Sequence, residues 1–538
     1  MWDSFFNLLN NTVSMVGLAQ QASLVAATRS LELAASSYAR MWGAQPKQVA
    51  GADRRFEDEA WQHNPYADML KQAYLITAEW MAGMADSLEP IDANIHKRTR
   101  FWTQQLADAL SPTNFVATNP EVWREIVRTG GANLAQGFQN LLEDMQRGRV
   151  SQVPEGAFEV GKDLAVTPGK VVYRNGLIEL IQYSPSTEQV YQVPVLAIPP
   201  WINKYYVMDM RPENSMFKYL VDAGLTVFTI SWKNPDDTVL NLGWDDYVDL
   251  GPLDALRVIK SITKSRKVNT LGYCLGGIIQ QTTLAYLARK GDQTINSATF
   301  FATHQDFTQA GDVTVFIDEL QVKFLDWLMS ASGGYLDGRN MAATFNMLRA
   351  NDLLWNYVVH NYLLGKQPPA FDLLYWNSDS TRVPGKVHTF LVREFFLKNK
   401  LMEPNGIQVK GQGVDLGLIT TPCYTVACTG DHIVPWEGAF KMRALHSGPV
   451  RFVLTSGGHI AGIINPPATS RRDYWVNDDK SFDPQVWFQG AEKQAGSWWS
   501  DWLPWLRARS GAMVNPPGMG SRTYKPLMDA PGSYVLEK

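Results

Sequence analysis

Three cysteines in 538 residues, Cys274, Cys423 and Cys428, are too few and too odd in number for a disulfide framework. They point to a reducing compartment. None is spaced with histidine as a metal site requires, so no bound metal is expected. Net charge is only −4, which leaves no basic footprint for nucleic acid. The first Lys or Arg is Arg29, and Asn, Ser, Gln and Thr interrupt the residues before it. Neither a signal peptide nor a transmembrane helix is expected from such a start. Repeats and low-complexity tracts are missing too. What remains is an ordinary globular composition, 45% apolar and 19% charged, long enough for one large domain and a smaller one. The 19 tryptophans suit an enzyme that handles apolar material.

Residues 1–155 read as a mostly helical domain. Leu31, Leu33, Ala34, Tyr38 and Met41 roughly follow a 3.6-residue period, and Phe101, Leu106 and Leu110 continue the style. Turn and helix-start signals stand at 112–115 and 118–121. Trp2, Phe5, Phe6, Leu8 and Leu9 form an apolar tip. It reads either as a helix packed on the body or as an adhesive surface for an apolar particle or a partner.

From about 156 the texture changes. Residues 171–181 read as a β-hairpin around Asn175-Gly176. Strand-like runs at 195–198, 225–230, 268–271 and 298–301 then alternate with helical ones, among them a stripe of Leu253, Leu256, Ile259 and Ile262. That alternation predicts a mainly parallel sheet with helices on both faces, an α/β fold. It fails over about 305–415 and returns at 423–427 and 450–454. The interruption is expected to be a cap, or lid, inserted into the catalytic domain 156–538.

The most specific local pattern is Gly272-Tyr273-Cys274-Leu275-Gly276-Gly277, between an apolar strand and the helical run 278–287. Strand, Gly-x-nucleophile-x-Gly turn and helix make the nucleophile elbow of the α/β-hydrolase fold, here with Cys where Ser is usual. In that fold the chain order is nucleophile, acid, histidine. After Cys274, the strand at 423–427 runs into Asp431-His432, and the strand at 450–454 runs into Gly458-His459. Asp431 and His459 therefore sit just past the carboxyl ends of strands, where sites of this architecture lie. The expected roles are Cys274 as nucleophile, His459 as its base and later proton donor, and Asp431 as the group that fixes the imidazole. The backbone N–H of Leu275 is one expected oxyanion donor, and a second is expected near Trp201 or Ile202, after the strand at 195–198. His432 either lines the pocket or caps the next helix. Cys423 and Cys428 read as packing residues.

These motifs resemble those of polyhydroxyalkanoate synthases over nearly the whole chain. Besides 272–277, the resemblance rests on Asp431-His432-Ile433-Val434-Pro435-Trp436, on Gly458-His459-Ile460-Ala461-Gly462 followed by Asn465-Pro466-Pro467, and on the loop from Pro199 to Tyr206. The segments Asn351–Tyr357, Phe371–Asn377 and Gly496–Trp499 are similar to family sequence as well. With its helical N-terminal region the chain resembles the single-component, short-chain type. The resemblance implies polymerisation of (R)-3-hydroxyacyl-CoA, chiefly 3-hydroxybutyryl-CoA, with His432, Asn203 and Trp201 lining the substrate site. It further implies no cofactor beyond the CoA of the substrate, a homodimer, a cytoplasmic location at the surface of polyester granules, and contact with granule-coating proteins. Two other readings share parts of this evidence. A Cys-nucleophile thioesterase or polyester depolymerase would have the same elbow, and a granule-surface structural protein would have the same apolar N-terminus.

Overall fold

The computed structural model describes residues 23–35, 53–86 and 93–538. The apolar tip Trp2, Phe5, Phe6, Leu8 and Leu9, with Tyr38 and Met41, lies outside the described residues. The chain forms two compact units. One takes the described residues up to Pro154 together with Ala343–Ala370; the other is Glu155–Ala342 with Phe371–Lys538.

The first unit is helical, with α1 (Pro65–Asp86), α2 (Ala93–Ala109), α3 (Pro120–Thr129) and α4 (Ala132–Arg147). The start of α3 follows from its sequence. The Asn119 side chain accepts from the N–H groups of Glu121 and Val122, Pro120 takes the first helical position, and Gly130 ends the helix at φ 61°. The inserted segment expected over 305–415 does not stay together, because 343–370 joins this helical unit. The reason is the face of α4. Asn133, Asn140 and Asp144 are buried polar residues that bind Leu363 O at 2.8 Å, Asn361 O at 2.9 Å and Tyr362 OH at 2.7 Å. A Cβ on Gly137 would stand 1.9 Å from Tyr362 O, so only glycine lets the two backbones meet.

The second unit is built on an eleven-stranded sheet. Its strands are β1 (Gly169–Arg174), β2 (Ile178–Tyr183), β3 (Val195–Ile198), β4 (Val227–Trp232), β5 (Val268–Tyr273), β6 (Ile295–Phe301), β7 (Cys423–Cys428), β8 (Val450–Thr455), β9 (Asp473–Val476), β10 (Glu492–Ala495) and β11 (Met528–Asp529). They lie in the order β10-β9-β8-β7-β6-β5-β3-β4-β2-β1-β11. From β4 to β8 the neighbours run parallel, and antiparallel strands flank them on both sides. Strands β3, β4, β5 and β7 are buried along their whole length, which is why they read as continuous apolar runs. The β1–β2 hairpin closes through the Asn175 side chain, which accepts from Leu177 N and Ile178 N. Gly176 is not left-handed, so the turn is an Asx turn and does not depend on glycine. Helix α5 (Asp254–Thr263) buries Leu256, Ile259 and Ile262, and α6 (Leu275–Arg289) follows β5 directly.

Candidate active site

The site is assembled at the carboxyl ends of β5, β6, β7 and β8. Cys274 links β5 to α6 at φ 51° and ψ −116°, a left-handed conformation that costs a non-glycine residue energy. The surrounding glycines make that turn sterically possible. A Cβ on Gly272 would lie 2.6 Å from Gly277 Cα, and one on Gly276 would lie 1.9 Å from Ile198 O. The Cys274 N–H donates to Phe301 O of β6 at 2.9 Å, which ties the elbow to the neighbouring strand.

Asp431 sits in the turn after β7 with its side chain fully buried. Its Oδ1 accepts from Ile433 N at 2.9 Å and Val434 N at 2.8 Å. Its Oδ2 lies 2.6 Å from His459 Nδ1. Burial alone would raise the Asp431 pKa, but His459 and the two backbone donors outweigh it and hold the carboxyl below its usual value. His459 follows β8. Burial opposes its charge, yet the carboxylate of Asp431 and then Cys274 hold it well above the ordinary imidazole range. With Nδ1 committed to Asp431, Nε2 is the nitrogen left for Cys274, whose nearness also raises the imidazole. The sequence-predicted Cys274, Asp431 and His459 are therefore brought together in the second unit.

Tyr273 is a site residue that the sequence reading missed. Its ring stacks on His459 at 5.6 Å between centroids, and its hydroxyl donates to the His459 carbonyl at 2.8 Å. Its place inside the elbow motif was the available signal. Past His459, the indoles of Trp498 and Trp499 each donate at 3.0 Å, to Gly462 O and Ile463 O. The Gly496–Trp499 motif thus fixes the histidine loop.

The loop after β3 carries the other expected residues. Leu275 opens α6, so its N–H is among those without an intrahelical acceptor. Ile202 is buried, and Asn203 forms an isolated bridge with Ser380. The Trp201 ring is packed among Trp232, Trp244 and Tyr247 at 5.5 to 6.3 Å, making it a wall of the loop and not a free face. Residues 372–381 strap this loop down. Trp376 Nε1 donates to Lys204 O at 2.7 Å, Lys204 Nζ pairs with Asp379 at 2.9 Å, and Thr381 Oγ1 donates to Trp201 O at 3.0 Å. His432 is half-buried beside Asp431. The helix that follows is preceded by Pro435 and has no side-chain cap, so His432 does not cap it. Cys423 and Cys428 are buried, and burial pushes both thiols up. Among the described residues no cluster of three or more His, Cys, Asp or Glu could hold a metal ion, and no helix is long and apolar enough to cross a membrane.

A strained cysteine between strand and helix, followed along the chain by an Asp–His couple at the ends of later strands, is the arrangement of an enzyme of the α/β-hydrolase fold. Comparison with known proteins agrees: residues 199–466 match the alpha/beta hydrolase fold family, and residues 52–220 match the poly-beta-hydroxybutyrate polymerase (PhaC) N-terminus. The chain is 41% identical over 551 residues to the poly(3-hydroxyalkanoate) polymerase subunit PhaC of Rhizobium meliloti (strain 1021), covering 99% of this chain and 90% of that one. It is 42% identical over 511 residues to the polymerase subunit of the same name from Cupriavidus necator, covering 93% and 87%. Among solved structures, a monoacylglycerol lipase of Paleococcus ferrophilus is 15% identical, covers 62% of this chain and 99% of its own, and superposes with a TM-score of 0.34. The chain belongs to the poly(3-hydroxyalkanoate) polymerase family and is an acyltransferase.

Proposed function

We propose that this enzyme polymerises (R)-3-hydroxyacyl-CoA, chiefly (R)-3-hydroxybutyryl-CoA, into polyester through an acyl intermediate on Cys274. The observation that carries the reading is the Cys274, His459 and Asp431 arrangement in a chain of this family. Cys274 Sγ attacks the thioester carbonyl and its proton passes to His459 Nε2. The C–S bond to CoA breaks, and the CoA thiolate takes that proton as it leaves. The hydroxyl of a second hydroxyacyl unit, or of a chain end, then attacks the acyl-Cys. Its proton passes to His459, an ester forms, and the thiol of Cys274 is restored. The steps balance without a metal or a resident cofactor, CoA being part of the substrate.

Cysteine suits this order of events. Thioester-to-thioester exchange is nearly balanced, so the acyl group stays activated on the enzyme, and transfer to oxygen is downhill. The pairing of His459 with Asp431 supports a histidine that can hold the thiol proton. The N–H groups of Leu275 and Ile202 are assigned to the oxyanion, and His432 and Asn203 to the substrate wall. In the helical unit Trp80, Trp102, Trp123 and Phe138 are exposed. They support granule attachment or self-association for that unit, and with it a homodimer working at polyester granules in the cytoplasm.

The test gives the purified chain (R)-3-hydroxybutyryl-CoA and follows CoA thiol, turbidity and free acid together, with Cys274→Ala as control. CoA release with turbidity, no free acid and a dead control is expected. Stoichiometric free acid would replace polymerisation by hydrolysis, and particle binding without any turnover would favour a structural protein.

A further inference from the structure

Just beyond β6 the chain kinks at Ala302, where φ is 43°, and delivers His304 into the interior. His304 is 3% exposed, and its carbonyl is held by Gln281 Nε2 at 3.1 Å. The ring lies 4.9 Å from the Phe307 ring and 5.8 Å from that of Phe396, centroid to centroid. Those faces supply packing but no hydrogen bond of ordinary strength. Neither ring nitrogen makes a hydrogen bond of ordinary geometry among the described residues, the Ile433 backbone being a polar group that acts on the ring. Thr303, the residue before His304, packs its side chain on Gly277 of the elbow, 2.0 Å from where a Cβ would stand, and Asp431 and His459 both act on the His304 ring electrostatically.

Burial wins over the pull of Asp431 and pushes the imidazole down to about 4. His304 is therefore neutral at working pH, with one N–H to give and one nitrogen to accept. So weak a base does not deprotonate a hydroxyl efficiently, which leaves binding and orientation as its chemistry. A buried polar ring with both nitrogens unused is unfavourable unless a partner arrives. Packing against Phe307 and Phe396 would be served equally well by leucine.

The substrate supplies a partner of the right kind. Attack by Cys274 fixes the carbonyl carbon, and the hydroxyl stands two carbons away on C3. Its partner must be a polar group beside the triad with bonding capacity to spare. Asp431 is filled by His459, Ile433 and Val434, and His459 has Nδ1 on Asp431 and only Nε2 left, which the reading above gives to Cys274. We propose that His304 is the hydrogen-bond partner of the 3-hydroxyl of the bound acyl unit, a positioning residue that selects hydroxyacyl over plain acyl groups; the inference rests on the polymerase reading above.

The test is single-turnover acylation of the full chain by (R)-3-hydroxybutyryl-CoA and by butyryl-CoA, followed by CoA release and by intact mass of the Cys274 adduct. The wild-type enzyme is expected to favour the hydroxyacyl substrate by about tenfold or more, the size of one good hydrogen bond. His304→Leu should bring that ratio close to one while keeping the butyryl rate. His304→Met gives the same reading if the leucine variant folds poorly. His304→Gln, with a donor and an acceptor, should keep most of the ratio. An unchanged ratio in the Leu or Met variant overturns the proposal. Failure of both thioesters to acylate wild-type Cys274 overturns the polymerase reading itself, a separate result.

Discussion

The indole N–H of Trp498 donates to the carbonyl of Gly462 at 3.0 Å, three residues past His459. The two are far apart in sequence, and the bond anchors the loop that carries the histidine. Gly462 is in turn pressed on Cys428, whose sulfur would lie 2.6 Å from an added Cβ. Removing the donor with Trp498→Phe keeps the ring but leaves a buried carbonyl unpaired, a loss of about 1–3 kcal/mol. We expect a lower unfolding midpoint in denaturant and a fall in kcat with little change in KM. A variant with wild-type kcat would show that the loop holds without this bond.

Cys274→Ala should abolish CoA release while leaving the far-UV spectrum and melting temperature near wild type, since Ala fits the elbow. Cys274→Ser should retain little polymerisation, because both the nucleophile and the energy of the intermediate change. Mass spectrometry after mixing with substrate checks both: an acyl adduct is expected on the wild-type chain and none on the Ala variant. Full activity in Cys274→Ala would falsify the assignment of the nucleophile.

Asp431→Asn can still accept from Ile433 and Val434 through its oxygen, but then presents an NH2 group to His459 Nδ1. The imidazole must adopt the other tautomer, so the loop survives and the proton path does not. A fall in kcat on the order of 10³ to 10⁴ is expected, with a small change in stability. A collapse of stability with kcat per folded molecule preserved would make Asp431 a structural residue only.

The elbow predicts a steep contrast between glycines. Gly276→Ala drives a Cβ into Ile198 O at 1.9 Å, a clash with backbone that no rotamer relieves. Expression as soluble protein should fail or the melting temperature drop sharply. Gly176→Ala meets nothing within 4 Å and needs no left-handed backbone, so it should be neutral or stabilise by about 0.4–1 kcal/mol. Comparable melting temperatures for the two variants would contradict the packing described.

Acid should weaken the fold above the ordinary carboxylate range, through buried histidines. Burial pushes His446 down to about 3 from an ordinary value of 6.5. Its neutral form is favoured by folding, so its stabilising contribution is whole above pH 6.5 and is lost as pH falls toward 3. From pH 7 to pH 5 this amounts to about 2 kcal/mol. Asp431, also depressed, adds its loss only below its ordinary 3.8. His459 has the opposite sign: its contribution is complete below 6.5 and fades as pH rises through its higher folded value. His304 and His388, both pushed down to about 4 by burial, add losses of similar size, so His446→Gln should reduce the difference in denaturant midpoint between pH 7 and pH 5 without abolishing it.

Much of the site was legible because its chemistry is local. The elbow needs glycines within a few residues of Cys274. The acid and the histidine must each follow a strand, so Asp431 and His459 could be picked out by order and flanks. The parallel strands were visible as apolar runs because both of their faces are buried. Less was legible where contacts join distant segments. The edge strands β9, β10 and β11 are short and half-exposed, without a periodic signal. His432 could be read two ways until the helix after it proved to lack a side-chain cap.

The sequence by itself determined the glycine-flanked elbow, the order of Cys274, Asp431 and His459 behind their strands and the layered α/β plan, since strand period, turn chemistry and motif order are carried by neighbouring residues. Only the tertiary structure decided that 343–370 belongs with the helical unit, that Trp498 and Trp499 hold the histidine loop, and that His304 is buried behind the elbow with neither ring nitrogen in an ordinary hydrogen bond among the described residues. Those facts depend on burial and on hydrogen bonds between residues tens to hundreds of positions apart. No local pattern encodes them, because the free energy that selects them arises only when the segments pack.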